Sequence, residues 1–204
     1  MAFSGVNVDL KLPGTAVSFT TEPMTSLGGN VWQITNAAKR VFAPFASITV
    51  STGTILTIDR LFGTVQFTGS VTTPTVTGQY LPMTSVASAR GFTRSIRSAN
   101  IDTTTLIRGA ASTAFVEKLP VMLDCSATVD RIQNWDEYFQ DELVDSAQLV
   151  LQFFNQYDDA EPDCAMWARI VDITNSSSYD SVVAEQISFE GTADNEGRSF
   201  SYGP

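Results

Sequence analysis

The sequence predicts a mainly β fold, a β-sandwich or barrel-like sheet with one flanking amphipathic α-helix. Short runs rich in Val, Ile, Thr, Phe and Tyr recur about every 8–12 residues with turn residues between them, which is typical of sandwiches and barrels. Charged residues make up 17% of the 204-residue chain, against about 25% in average proteins, and Thr and Ser fill the shortfall. One segment has the helical period instead.

The predicted strands lie on both sides of residue 120. Before it they are residues 16–21, 31–35, 46–51, 54–59, 64–68, 75–81, 92–97 and 102–107. After it they are residues 119–128, 148–154, 165–174, 182–190 and a short last strand at 199–202. Residues 1–15 and 80–118 are less regular, so we expect an N-terminal arm in the first stretch and a long loop or arm within the second. No linker or internal repeat divides the chain, so we expect a single domain over residues 1–204.

The predicted helix covers residues 130–145. Its apolar residues recur at steps of three and four: Ile132, Trp135, Phe139 and Leu143. Asp130 is placed as the N-cap, and the other faces are strongly acidic. This pattern predicts one amphipathic helix that covers one side of a sheet.

The charge of the chain is negative and unevenly distributed. The net charge is −10, of which residues 1–120 contribute +4 and residues 121–204 contribute −14. Such a chain should bind neither nucleic acid nor anionic membranes, because both require an excess of Lys and Arg. The asymmetry predicts either a polarised surface or a solvated acidic face.

The usual residues of catalysis are scarce. The chain has no histidine and two cysteines, Cys125 and Cys164, which lie in or beside apolar runs and are expected to be buried thiols. The acidic stretch 158–163 could hold Ca²⁺, but it lacks the spacing of a calcium loop, so an acidic turn is the favoured interpretation. We therefore expect no enzyme activity, no metal and no cofactor.

Several stretches resemble the tail tube proteins of long-tailed bacteriophages. The C-terminal succession of a strand, an acidic helix and a closing strand that ends in Ser188-Phe189-Glu190-Gly191 is similar to theirs. Residues 100–106 (NIDTTTL) followed by 115–120 (FVEKLP) also resemble this family, as do residues 34–40, 61–67 and 78–82. The inner-tube proteins of contractile injection and type VI secretion systems are related to it.

The resemblance implies a structural subunit that self-assembles into stacked, six-membered rings. The rings would form a conduit for DNA ejection, through which DNA passes without specific binding. The implied partners are other copies of the chain, a tape measure, a terminator, a baseplate and, in contractile tails, a sheath. The implied location is the virion tail, assembled in the host cytoplasm. The first residues do not resemble a signal peptide and no apolar run could span a bilayer, so we expect no membrane anchor.

Other functions remain open at this stage. The chain could be a different tail ring component (a terminator, tube initiator or baseplate hub), or a carbohydrate- or ligand-binding β-sandwich module that uses exposed Trp or Tyr. An enzyme that uses carboxylates such as Asp102 and Glu117 ranks last. For the assembly hypothesis the candidate contacts are Phe3, Leu10, Arg90, Arg94, Arg97, Arg108, Asp136, Glu137, Asp141 and Glu142.

Overall fold

Strands dominate the structure. A computed structural model of the chain describes residues 7–89, 91–102, 118–132, 148–154, 161–176 and 184–204. The strands are β1 (Asn7–Pro13), β2 (Val17–Gly28), β3 (Val31–Ile34), β4 (Thr49–Val50), β5 (Ile55–Asp59), β6 (Thr64–Phe67), β7 (Thr75–Tyr80), β8 (Met83–Ala89), β9 (Gly91–Asp102), β10 (Lys118–Ile132), β11 (Leu149–Phe154), β12 (Cys164–Ser176), β13 (Ala184–Gly191) and β14 (Phe200–Tyr202). In these parts of the chain the one helix is a 3-10 turn at Ala37–Lys39, which Asn36 caps by accepting from the Ala38 N–H.

The larger sheet is antiparallel, in the order β8-β1-β11-β12-β13-β10-β9, with β14 added beside β12. Its two end strands, β8 and β9, are consecutive in the chain and are separated only by position 90. Ala89 pairs with Val8 of β1, and Gly91 pairs with Asp130 of β10. The two ends of the sheet therefore meet at this corner, and the sheet is a nearly closed barrel, here called the large barrel.

The smaller sheet has the order β4-β7-β2-β3-β6-β5 and is formed by residues 17–80. Its end strands, β4 and β5, are also consecutive, joined by residues 51–54. β2 serves both halves of this sheet, because its first part pairs with β7 and its last part with β3. The part of β2 that pairs with β7 contains a register shift between Phe19 and Glu22. Thr21 at this shift has a φ of 49°. We call this unit the small barrel.

Alternation of side chains along β11 and β12 explains how the two barrels pack. Leu149, Leu151 and Phe153 point into the large-barrel core, whereas Val150 between them points outwards. Trp167 of β12 also points outwards and is 0% exposed. These outward residues meet Val41, Ala43, Leu61, Phe62 and Leu81 in a contact layer between the barrels. β11 and residues 164–168 of β12 are thus buried on both faces, which is why their sequences are nearly continuous apolar runs.

The prediction of a mainly β, barrel-like fold is confirmed, but the predicted start of the helix is wrong. Asp130 is not a helix cap: residues 130–132 continue β10 and pair with residues 184–186 of β13. The sheet ladder satisfies their backbone groups and so excludes a helical turn there. Positions 133–145 of the predicted helix lie outside the described residues. None of the helices that the structure describes is long and apolar enough to cross a membrane.

Two stretches predicted to be irregular contain strands. Residues 7–13 of the expected arm form β1, which lies between β8 and β11 inside the sheet. The stretch 80–118, in which a loop is expected, contains β8 and all of β9, and the strand predicted at residues 92–97 lies within β9. Residues 103–117 lie outside the described part of the chain. The predicted strand 46–51 is shorter, at Thr49–Val50.

Candidate assembly surface

One side of β9 has no partner strand among the described residues. Its other side pairs with β10 over its whole length, from Gly91 opposite Asp130 to Asp102 opposite Lys118. The N–H and C=O groups on the free side of an edge strand are a template for pairing with another chain. The free side of β9 is therefore a candidate docking edge.

The β9–β10 hairpin is longer than the sheet that carries it. β10 pairs with β13 only over residues 126–132, whereas its pairing with β9 continues down to Lys118. Residues 118–124 of β10 consequently have β9 on one side and no described strand on the other. The hairpin thus projects beyond the barrel wall.

A second free stretch lies on β12. Its pairing with β11 ends at Ala168, opposite Leu149, but its pairing with β13 continues to Ser176. On the β11 side, residues 170–176 face no strand in the described parts of the chain. Val171 in this stretch is 46% exposed, although apolar residues are usually buried in strands. We call this stretch the free edge of β12.

The sequence-predicted contacts are dispersed. Leu10 is 4% exposed in the large-barrel core, so its side chain packs within the subunit. Arg94 is exposed, but its guanidinium carbon lies 5.4 Å from the centroid of the Phe153 ring and 5.6 Å from that of Tyr202. The side chain of Arg97 is exposed on β9, and its Nε donates to Ser95 Oγ at 3.2 Å. The other candidates lie outside the described residues: Phe3, Arg90, Arg108, Asp136, Glu137, Asp141 and Glu142.

A buried arginine fastens the small barrel to the C-terminal loop. The side chain of Arg60 is 2% exposed, and its Nε and Nη2 donate to the Glu196 carboxylate at 2.5 and 2.9 Å. Its Nη1 donates to the carbonyl oxygens of Ala43 and Ala46, both at 2.8 Å. Every nitrogen of the guanidinium is thus bonded, as a buried cation requires. Neither the composition nor the spacing of residues predicts that Arg60 pairs with Glu196, because the two lie far apart in the chain.

Two carboxyls beside this junction are withdrawn from water: Asp194 is buried and Asp59 is partly buried. Asp59 accepts from the N–H groups of Leu61 and Phe62 and from the Ser201 hydroxyl, yet burial raises its pKa above the ordinary value. Burial also raises the pKa of Asp194, which accepts from the N–H groups of Glu196 and Arg198. Both carboxyls organise turns, because each bonds to backbone N–H groups two to four residues further along the chain.

The thiols lie in the large-barrel core, and the two tryptophans that the structure describes are buried or half-buried. Cys125 and Cys164 are buried thiols, as the sequence predicts, and burial raises the pKa of Cys164. A thiol of raised pKa is a poor nucleophile. Trp167 is fully buried and Trp32 is half-buried against the small-barrel core, so neither presents an open stacking face.

A cavity of about 420 Å³ lies between the barrels. Its polar lining includes Lys11, Arg40, Gln152 and Glu161. Arg40 forms an ion pair with Glu161, and Lys11 lies 3.7 Å from the carboxylate of Asp9. Each charged group that lines the cavity therefore already has an ion-pair partner. Within the described ranges, no group of three or more Cys, Asp or Glu side chains could hold a metal ion.

Comparison with known proteins gives one structural neighbour to report. No family model and no curated protein matches the chain. Among solved structures, the chain is similar to a chain in the tail of an empty GTA particle with C6 symmetry. The two are 14% identical, the match covers 60% of this chain and 87% of the other, and the TM-score is 0.45.

Proposed function

We propose that this protein is the tail tube subunit of a long-tailed bacteriophage. In this role it is a structural, non-enzymatic protein that assembles into stacked rings of six subunits, whose lumen conducts DNA. The observation that carries the proposal is that two strands of one barrel, β9 and β12, each leave one side unpaired over a long stretch in the described parts of the chain. The sequence resemblance to tail tube proteins indicates the type of assembly, which is a stack of rings.

The two edges belong to different strands, and this determines the type of assembly they favour. When edge β9 of one copy joins edge β12 of the next, each copy retains one edge to offer to a further copy. Such head-to-tail contacts close into a ring when the rotation between copies divides a full turn. The projecting β9–β10 hairpin reaches beyond the wall of its own barrel, where it could contact the next ring.

The charge distribution supports the same assembly. β9 carries Arg94 and Arg97, whereas the free edge of β12 carries Asp172. Over the whole chain, residues 1–120 have a net charge of +4 and residues 121–204 of −14. Opposite charges on two docking faces steer encounter and fix register.

The acidic character also suits a conduit for DNA. A lumen of net negative charge repels phosphates, so DNA would move through it without adhering. The purified protein should therefore leave double-stranded DNA unshifted on a native gel at physiological salt. A salt-sensitive shift would contradict this part of the proposal.

Sedimentation of the assembled protein tests the edge contact. Val171→Asp places a charge on the free edge of β12, and Thr15→Asp places the same charge on the exposed loop between β1 and β2 as a control. The wild type and Thr15→Asp should sediment as particles much larger than one subunit, and Val171→Asp should remain small and folded. Wild-type protein that never sediments faster than a monomer would contradict the proposed function, and Val171→Asp protein that assembles normally would exclude the β12 edge.

A further inference from the structure

The cavity between the barrels has the size and the walls of a small-molecule site. Its volume is about 420 Å³, and such sites usually measure about 300–1,000 Å³ and are lined mainly by apolar side chains with a few polar groups. The larger apolar side chains of the lining come from both barrels: Leu61, Phe62, Met83 and Phe154. The polar groups of the lining therefore decide which ligand would fit.

Gln152 supplies a buried amide to the cavity. It is the polar residue in the otherwise apolar strand β11, and it points to the same side of the sheet as Val150 in the contact layer. The residue is 7% exposed, and no side chain or backbone group in the described ranges hydrogen-bonds its amide. Native proteins pair nearly all of their buried polar groups, so an exception that lines a cavity points to a ligand.

Two cations line the same cavity and keep donors that their ion pairs do not use. Arg40 donates to Glu161 through Nη1, and none of the described residues accepts from its Nε or its Nη2. The Lys11 ammonium lies 3.7 Å from the Asp9 carboxylate, which is too far for a hydrogen bond, and it makes none elsewhere in the described chain. Both side chains can therefore donate to a further acceptor.

The charge of the lining favours an anion. Among the described lining residues Lys11 and Arg40 are cations and Glu161 is the one acid, so their net charge is +1, in a chain of net charge −10. The side chain of Glu161 is 52% exposed, and Arg40 neutralises it. Apolar walls strengthen the field of the remaining positive charge, because they lower the local dielectric.

We propose that this cavity binds a small organic monocarboxylate with an apolar body. Lys11 and Arg40 hold the carboxylate through charge-assisted hydrogen bonds, and the amide of Gln152 donates to the same group. The apolar body packs against Phe62 and Phe154. A single negative charge balances the lining, whereas a dianion would exceed it.

This site is independent of the proposed tube function. None of its described lining residues lies on β9 or on the free edge of β12. Ligand binding and ring assembly can therefore be measured separately, and the failure of one leaves the other standing.

Isothermal titration calorimetry of the full-length protein tests the class of ligand. The ligands are decanoate and 2-naphthoate, an aliphatic and an aromatic monocarboxylate, with decylamine and decanol as matched ligands of positive and neutral head group. The proposal predicts saturable binding of at least one carboxylate, with decylamine and decanol at least about tenfold weaker. No saturable binding of either carboxylate, or equal affinity for decanoate, decylamine and decanol, would overturn it.

Matched variants test the location of the site. Arg40→Met and the control Arg169→Met each remove an arginine that pairs with one glutamate, and Arg169 lies outside the cavity. The dissociation constant of the carboxylate should rise at least about tenfold for Arg40→Met and Lys11→Met, and by less than about twofold for Arg169→Met.

A third variant guards against loss of folding. Gln152→Met keeps the size of the side chain and removes the amide, so circular dichroism should show a folded protein that binds the carboxylate more weakly than the wild type. Folded lining variants that bind the carboxylate as tightly as the wild type would exclude the site.

Discussion

Arg60 and Glu196, which are 136 positions apart in the chain, form a two-point ion pair that fastens the small barrel to the C-terminal loop. The arginine is 2% exposed and the carboxylate is 25% exposed, so the pair is largely removed from water. The same guanidinium donates to the carbonyls of Ala43 and Ala46. A single side chain thereby holds both the C-terminal loop and the loop of residues 43–46.

Removal of this guanidinium should strongly destabilise the protein. Arg60→Ala leaves the Glu196 carboxylate and the carbonyls of Ala43 and Ala46 without their donor, and the loss of one partner of a buried ion pair costs about 3–5 kcal/mol. Urea unfolding followed by circular dichroism measures the cost. Glu196→Gln, which keeps an acceptor for the guanidinium, should cost less. A loss below about 1 kcal/mol for Arg60→Ala would show that the pair does not fasten the barrels.

The buried carboxyl of Asp59 should make stability fall as pH rises. Its pKa is raised in the folded state, so the folded protein binds more protons than the unfolded chain between the unfolded pKa, about 3.9, and the higher folded value. Asp59→Asn keeps an oxygen for the N–H groups of Leu61 and Phe62 and removes the titration. It also replaces the oxygen that accepts from the Ser201 hydroxyl, a loss that does not vary with pH. Urea unfolding across the acidic range gives the free energy of unfolding of each protein. The wild-type value minus the variant value should therefore decrease as the pH rises. A difference that stays flat or increases would contradict the raised pKa.

Gly191, the glycine that ends the predicted closing motif, should not tolerate a side chain. A Cβ at this position would lie 2.3 Å from the sulfur and 3.0 Å from the carbonyl oxygen of Cys125. Gly191→Ala should cost about 1–3 kcal/mol through overpacking. Gly69→Ala is the control, because a Cβ there meets nothing within 4 Å, and it should change stability by less than about 0.5 kcal/mol. Equal costs for the two variants would exclude close packing as the reason for Gly191.

Assembly should weaken as the salt concentration rises. The proposed contact brings Arg94 and Arg97 of β9 towards Asp172 of β12. Attraction between such exposed charges falls with the screening length, which is about 10 Å at 0.1 M salt and about 3 Å at 1 M. Light scattering during assembly should show slower growth and smaller particles in 1 M NaCl than in 0.1 M. Assembly that is indifferent to salt would mean that charge complementarity does not drive it.

Much of the fold is local and could be predicted. The run QLVLQFF at residues 148–154 contains β11, and the segment 165–174 lies within β12. The sequence is continuously apolar in β11 and in the first part of β12, because these segments are buried on both faces. The sequence of β1 also has a strand pattern, although an arm is predicted there. Residues 7–12 (NVDLKL) alternate polar and apolar side chains in the period of a half-buried strand.

The remaining features depend on long-range contacts. Asp130 is of a residue type that often caps helices, but it pairs with Gln186 of β13 and so lies in a strand. This pairing is set by tertiary structure, which overrides local preference. The small barrel forms because particular strands become neighbours in the folded chain, which the sequence does not state. The pairing of Arg60 with Glu196 likewise depends on the folded arrangement. The free edges of β9 and β12 could not be found in the sequence, because an edge is defined by the absence of a neighbouring strand.

Negative-stain electron microscopy of the purified protein, with size-exclusion chromatography beside it, tests the central claim most directly. The account predicts hollow tubes or stacked rings of uniform diameter at low salt. A folded protein that remains monomeric at every concentration and salt level, with neither rings nor tubes in the images, would contradict it.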